Sequence, residues 1–483
     1  MTISMPRHFP PEDGNDKIRG MKDGGECQRM NDQQKTIHIH GDRPHVCRHG
    51  SRNGWFSLER NLERVRHCIS YTRAYGFGRL FYHLRTEVFH IEKPSRFRVF
   101  FSGLFASGCY SLQRGVWRKS INEAKLINVV VTYFLSSGGA SLYLRRRLEQ
   151  KDVLTILVRN TNAKHVVCCQ AWKGGSKVFD VYADGLRILA TLPRLKCREI
   201  FVNQLVGWQS YLGDRGMTPS GLRRIFEELT YVKEMTGAKF VFPIHDYFYV
   251  CPRLFMVDRD GDYCGMGDDP DRCNCCCGEA GFDIAEWRGE SRRLLSLGDE
   301  VICFSEDSKA RLERIFPLQP HVSVVRHQPI EHFEALRFVH TDEVVIGVVG
   351  AIIDIKGASH VMRLLDYLDA ENLNARIVVV GDIDHRAYTG TRLTVTGAYR
   401  HFELPNILER HGVNVAYYPG ICPETFGFVV QELIMLGLPI VCFDLGAQAE
   451  LVGKWRLGRL IDMSDPPTVW KALKELHEAA QSI

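Results

Sequence analysis

Residues 344–357 read VVIGVVGAIIDIKG. The first part, 344–350, is wholly apolar or glycine, as expected of a strand buried on both faces of a parallel sheet. A glycine-bearing loop follows, and then a helix whose apolar face is Val361, Met362, Leu364, Leu365 and Leu368. Strand, glycine loop and helix make one unit of a parallel sheet, and the same unit occurs earlier in the chain. There LINVVVTYF (126–134) runs into SSGGAS (136–141) and a helix beginning near Ser141.

Each unit opens a series. After the earlier one come strand candidates at 153–158, 199–205, 239–245 and 300–306, with a helix carrying Leu222, Ile225, Phe226, Leu229 and Val232 at helical spacing. After the later one come RIVVVG (376–381), VAYYPG (415–420) and PIVCFD (439–444), with helices between. The expected fold class is α/β: two tandem, doubly wound, Rossmann-like domains facing a cleft. The first is assigned to 121–335, with a cysteine-rich insertion at 251–277, and the second to 336–483.

Composition agrees with this division. A chain of 483 residues is too long for one core, which stops growing at roughly 250 to 300 residues. With 45% hydrophobic and 25% charged residues it reads as globular. No apolar run approaches the roughly 20 residues of a spanning helix, and the opening MTISMPRHFPPEDGNDKIRG lacks the apolar segment of a secretory signal. The expected location is therefore the cytoplasm, where the 16 cysteines are reduced thiols or metal ligands.

Residues 1–54 are polar, poor in aliphatics and broken by Pro and Gly, so they read as a disordered tail. Residues 55–120 carry twelve basic side chains against four acidic ones, interleaved with Phe77, Leu80, Phe81, Leu84 and Phe89 and followed by VFFSGLF (99–105). This reads as a basic amphipathic helical extension. It suits an anionic membrane surface, and equally a helix packed on its own protein. No recognisable nucleic-acid module surrounds the basic residues, so nucleic acid is not an expected partner.

Ligands of doubly wound sheets bind beyond the carboxyl ends of the strands, and four such loops carry chemistry here. Gly138 and Gly139 let the backbone approach a ligand at a helix N-terminus. His245 ends KFVFPIH with Asp246 beside it. Lys356 closes the loop that begins at Gly350, as suits a phosphate. Ordinary readings stand beside these: a tight turn, a structural histidine, a surface lysine.

The fourth loop opens PETFGFVVQELIMLGLPIV (423–441), with Glu424 and Glu432 eight positions apart. On one uninterrupted helix they would be about 12 Å apart along the axis and roughly 80° apart around it, too far to serve one small group. If the helix starts near Phe426 or Gly427, Glu424 lies in the loop before it and Glu432 one to two turns inside. The amides of Thr425, Phe426, Gly427 and Phe428 then form an anion site. An elongated ligand with hydroxyls and a diphosphate fits that arrangement.

VVGAIIDIKG, YTGTRLTVTGAY (388–399) and PETFGFVVQELIMLGLPIVCFDLGAQAE together resemble the retaining glycosyltransferases of family 4, which have the GT-B fold. The likeness covers about 126–465 and is greatest to bacterial enzymes of O-antigen or other surface-polysaccharide assembly. It implies that Glu424 contacts donor-sugar hydroxyls, with Thr425, Phe426 and Gly427 near sugar and phosphate. By the same likeness Glu432 holds the ribose and Lys356, in the loop from Gly350, the diphosphate. His245 would lie beside the transferred sugar, and Gly138 and Gly139 near phosphate or acceptor. Many relatives have an arginine where this chain has Ala351, and Arg392 is one substitute.

The implied reaction moves a glycosyl group from a nucleotide sugar to a glycan or lipid-linked glycan, with retention and with no cofactor required for catalysis. The expected setting is the cytoplasm or the cytoplasmic membrane face. A sugar-nucleotide epimerase of the same fold and an inactive glycan-binding homologue are the alternatives. Cys251, Cys264, Cys273 and Cys276, spaced C-x12-C-x8-C-x2-C, make a candidate structural zinc site, buried free thiols being the other reading.

Overall fold

The computed structural model describes residues 115–482 apart from 133–138, 162–165, 209–217, 254, 259, 268, 278–281, 318–320, 328–331, 337–340, 385–387 and 464. The expected tail over 1–54 and the extension as far as residue 114 lie outside the described residues, as does Gly138.

A helix, α1, covers 115–123 and so crosses the expected boundary at 121. Trp117 and Ile121 are buried in the core of the first domain, and Trp117 Nε1 donates to Thr191 Oγ1 at 3.1 Å. Lys196 Nζ donates to the carbonyls of Ile121 and Asn122 at the end of this helix, where a cation is favoured.

The first sheet has the order β4-β3-β2-β1-β5-β6-β7-β8. Its strands are β1 (Ile127–Thr132), β2 (Leu154–Asn160), β3 (Val166–Lys173), β4 (Ser176–Asp184), β5 (Cys197–Val202), β6 (Lys239–Pro243), β7 (Glu300–Cys303) and β8 (Val322–Val324). All neighbours pair in parallel except around the hairpin β3–β4, whose antiparallel strands close one edge. Gly174 and Gly175 form the two-residue turn, with φ of 56° and 79°, as that kind of hairpin requires. Helix α2 (Gly139–Leu148) follows β1, and α3 (Pro219–Thr236) follows β5. Thr218 caps α3 with Pro219 inside its first turn, and Gly237 ends it at φ 62°. Helices α4 (Pro270–Cys277), α5 (Ile284–Leu295) and α6 (Glu306–Ile315) complete the domain.

The second sheet is wholly parallel, in the order β11-β10-β9-β12-β13-β14. It contains β9 (Val344–Ile352), β10 (Ala375–Ile383), β11 (Leu393–Val395), β12 (Val415–Tyr418), β13 (Ile440–Phe443) and β14 (Gly458–Ile461). Burial on both faces follows from alternation along β9. Val344, Ile346 and Val348 pack under α7 (Ala358–Ala370) and α11 (Pro466–Gln481), while Val345 and Val349 face α8 (Leu404–Arg410), α9 (Phe428–Met435) and α10 (Gly446–Gly453). In each sheet the strand order reverses beside the first strand, between β1 and β5 and between β9 and β12. Those reversals are where a crevice opens for a ligand. Among the described residues no helix is long and apolar enough to cross a membrane.

Candidate active site

The loops after β9 and β12 meet at the reversal of the second sheet, and a glycine is the reason they can. Gly357 has φ 83°, and a Cβ there would stand 2.0 Å from the carbonyl oxygen of Pro419. Without a side chain, the 3-10 turn Asp354–Lys356 closes on the β12 loop and brings Lys356 within electrostatic reach of Glu424. Gly350 lies inside β9, its carbonyl against Gly381 of β10, where a Cβ would be 2.2 Å away. The strand therefore runs two residues past its expected end, to Ile352.

Helix α9 begins at Phe428, with Gly427 as its N-cap. Glu424 thus stands in the loop and Glu432 one turn inside the helix. Three contacts fix the loop. Glu424 N–H donates to Gln448 Oε1 at 3.0 Å, Gln448 Nε2 donates to the Cys422 carbonyl at 2.9 Å, and the Ala447 amide donates to the Glu424 carbonyl at 3.0 Å. Tyr418 Oη donates to Glu424 Oε1. Burial raises the Glu424 carboxyl above its ordinary value, while the Lys356 charge and then the Tyr418 hydroxyl pull it back. Glu432 is 1% exposed, and its Oε1 lies 3.1 Å from His401 Nδ1.

Across the cleft, His245 follows β6. Its Nε2 is 3.0 Å from Asn203 Oδ1, while Asn203 Nδ2 donates to Thr132 Oγ1 at 3.3 Å. With the amide so oriented, Nε2 carries the proton and Nδ1 is left as an acceptor. Burial, and after it His327, pushes the His245 imidazole down to about 3, so it is neutral at pH 7. Asp246 turns back on its own chain, accepting from the Phe248 amide at 3.0 Å. Burial raises its carboxyl to about 6 against those hydrogen bonds.

The two domains touch at this place. Thr425 Oγ1 donates to the His245 carbonyl at 3.0 Å. Phe426 is buried in a cluster of first-domain residues that includes Val130, Phe201 and Phe304. The physical reason is the loop's path: it leaves β12 toward the cleft, so the nearest apolar surface belongs to the other domain. His327 is the wedge between them, stacked on Phe304 at 3.9 Å and 4.8 Å from the rings of both Phe426 and Phe428. Glu450 of α10 makes a second bridge, accepting from the amides of Glu306 and Asp307 at the start of α6.

Other expected residues lie elsewhere. Arg392 cannot replace the absent arginine. It precedes β11, which parallels β10, so it lies at the opposite end of the sheet, held by Asp369, Asn372 and the carbonyls of Leu373 and Ala375. Ala351 is exposed, and Gly139 is the first residue of α2. Cys251, Cys264, Cys273 and Cys276, with Cys275, line one cavity of about 270 Å³. Among the described residues no three His, Cys, Asp or Glu side chains are close enough to share a metal ion.

Sequence reasoning missed Tyr418, Gln448, His327 and Glu450; apart from Tyr418, six residues before Glu424, their partners are distant in the chain. The VAYYPG strand end was visible; that the second tyrosine turns toward Glu424 was not.

Residues 331–481 match the family described as glycosyl transferases group 1. A comparison with curated protein sequences finds no match. Among solved structures, the chain is similar to Anabaena HepE in complex with UDP, at 16% identity over 74% of this chain and 91% of that one, TM-score 0.45. It is also similar to the sucrose-phosphate synthase of Thermosynechococcus elongatus, at 14% identity over 73% and 94%, TM-score 0.44. A third is the catalytic domain of Arabidopsis thaliana starch synthase IV bound to ADP and acarbose, at 11% identity over 74% and 92%, TM-score 0.42. The family match spans the whole second sheet with both acids and the lysine at its reversal, so of the two Rossmann-like domains it is the second that carries the glycosyl transferase signature.

Proposed function

We propose that the chain is a retaining glycosyltransferase of family 4 that moves a glycosyl group from a nucleotide sugar to a glycan or lipid-linked glycan acceptor in surface-polysaccharide synthesis. The observation that carries this reading is the meeting of Lys356 and Glu424 at the reversal of the second sheet, with His245 joined to Thr425 across the cleft. A carboxylate there accepts hydrogen bonds from sugar hydroxyls. Lys356 and the first amides of α9 face the diphosphate, and Glu432 faces the ribose.

As the bond from the anomeric carbon to the phosphate oxygen breaks, negative charge grows on the leaving nucleoside diphosphate. Lys356 then stabilises the transition state more than the ground state. The acceptor oxygen attacks from the side the phosphate leaves, and its proton passes to a phosphate oxygen, so configuration is kept without a protein nucleophile. Neutral His245 offers Nδ1 as an acceptor for a hydroxyl of the transferred sugar. No cofactor enters these steps.

Two attachments belong to the reading. That Cys251, Cys264, Cys273 and Cys276 line one cavity is what supports a structural zinc there. Metal analysis of protein purified without a metal column is expected to find one zinc per chain, and none would remove the idea. The excess of basic residues over 55–120 supports a peripheral place on the cytoplasmic membrane face. Flotation with anionic vesicles tests it, and equal flotation of a form starting near Lys125 would count against it.

The direct test of the function is a thermal-shift screen of UDP-, GDP- and ADP-sugars, followed by transfer assays on glycan acceptors. One donor is expected to raise the melting temperature and to release nucleotide only with an acceptor present. Interconversion of the sugar without an acceptor would indicate an epimerase, and stabilisation by none of them would end the assignment.

A further inference from the structure

Tyr417 and Tyr418 close β12 side by side and point to opposite faces. Tyr417 packs in the α7–α11 layer against Phe443 at 6.0 Å, where a tyrosine is one large core side chain among others. Tyr418 turns to the α8–α10 layer and is buried in the cluster that also holds Val345 and Val349. Its hydroxyl emerges from that layer at Glu424, six residues on, and donates to Oε1.

The Glu424 backbone is already held. Gln448, 1% exposed, ties both Cys422 and Glu424, and Gly446 at φ 73° lets α10 press on the loop, where a Cβ would lie 2.6 Å from Pro423 Cα. The side chain is a separate matter, since a glutamate retains three rotatable bonds once its backbone is fixed. Tyr418 removes that freedom at one oxygen and leaves the other for the ligand.

We propose that Tyr418 is a positioning residue for Glu424: its buried hydroxyl fixes Oε1, so that the carboxylate meets the donor sugar oriented and ionised. The proposal rests on the reading of Glu424 given above. The phenol is suited to the task because burial, and after it the Glu424 charge, pushes it well above its ordinary value, so it remains a donor at working pH. The titratable groups that bear on Glu424 are Lys356 from the turn after β9, Tyr418 from β12 and Cys422 from the loop itself. Burial, and after it the Glu424 charge, pushes the Cys422 thiol up to about 12, so it stays neutral. Lys356 and Tyr418 are thus the two groups that favour the ionised carboxylate, and Tyr418 can be removed without touching the diphosphate site.

The test is Tyr418→Phe in the full chain, with transfer measured from pH 5 to 9 using the nucleotide sugar that most stabilises the wild type in the screen. Phenylalanine keeps the buried ring, and a melting temperature near that of the wild type checks the fold. Loss of a hydrogen bond to an ionised group is expected to move the acid limb of kcat/KM upward by about one pH unit. It should also lower transfer at neutral pH roughly tenfold. An unmoved acid limb, with or without a lower melting temperature, would overturn the proposal and leave Tyr418 a packing residue. Glu424→Ala runs beside it: if that variant still transfers at the wild-type rate, the reading of Glu424 itself falls and the role of Tyr418 with it.

Discussion

The hydroxyl of Thr425 donates a hydrogen bond to the backbone carbonyl of His245, 3.0 Å away on the opposite domain. One bond thereby links the loop that carries Glu424 to the strand end that carries His245. Replacing Thr425 with Val keeps the shape and removes the donor, leaving a carbonyl at the domain contact without this partner. The expected cost is about 1 kcal/mol, seen as a fall of a few degrees in melting temperature. A several-fold loss in kcat/KM should accompany it, because the two halves of the site lose their fixed spacing. Unchanged kinetics in Thr425→Val would show that the contact does not set that spacing.

Glu424→Ala and Lys356→Ala separate chemistry from folding. Removing a group that stabilises developing charge is expected to lower transfer by about two to three orders of magnitude. Stability should move differently. The folded state holds the Glu424 carboxyl above its ordinary value, so its ionised form is disfavoured by folding at neutral pH, and Glu424→Ala is expected to melt at or above the wild-type temperature. Calorimetry of the variant beside its turnover checks both halves, and near-normal turnover in either variant would remove the pair from the mechanism.

The parts legible in the sequence were those whose signal is local. A run such as 344–350 is apolar without alternation because both faces of its strand are covered, and that pattern does not depend on partners. The entrance to α9 was legible for a similar reason, since an acid in an apolar segment is costly unless it has a partner. The hairpin β3–β4 was passed over although Gly174-Gly175 marks its turn, because Ser176, Lys177, Asp180 and Asp184 on the edge strand dilute its apolar pattern. Arg392 was misplaced because β11 has only three residues; with that strand unseen, nothing told which end of the sheet the arginine occupies. Gln448 reaches Glu424 through the packing of α10 on the loop, and Tyr418 through the turn the chain takes after β12, and neither path is encoded in a spacing.

Gly357 makes a stringent test of how the site is assembled. At φ 83°, and with the Pro419 oxygen 2.0 Å from any Cβ, alanine meets both backbone strain and a clash with main chain that cannot rotate away. Gly357→Ala is expected to destabilise the second domain by about 1 to 3 kcal/mol. The larger effect should be on donor binding, because relief of the clash moves the 3-10 turn, and Lys356 with it, away from the β12 loop. A thermal-shift titration with the stabilising nucleotide sugar reads this as weaker binding, and equal affinity would mean that the closeness of the two loops is not what places Lys356.

Acid should weaken the domain contact through His327. Burial, and after it the Arg146 charge, pushes this imidazole down to about 4, and burial with His327 as neighbour pushes His245 to about 3, against an ordinary 6.5. A histidine with a lowered folded pKa gains its proton more readily when unfolded. Its contribution to stability is therefore complete above about pH 6.5 and is lost as pH falls toward its folded value. Asp246, raised to about 6, and Glu424, also raised, work in the opposite sense as pH falls, but they are two groups against three, since burial also pushes His360 down to about 4. The melting temperature is expected to fall between pH 7 and pH 4. His327→Phe places a ring of similar size against Phe304 and Phe428 while removing the titration, so its melting curve should depend less steeply on pH over that range. Equal slopes in the two proteins would mean that His327 protonation does not reach the contact between the domains, and that acid acts on other groups.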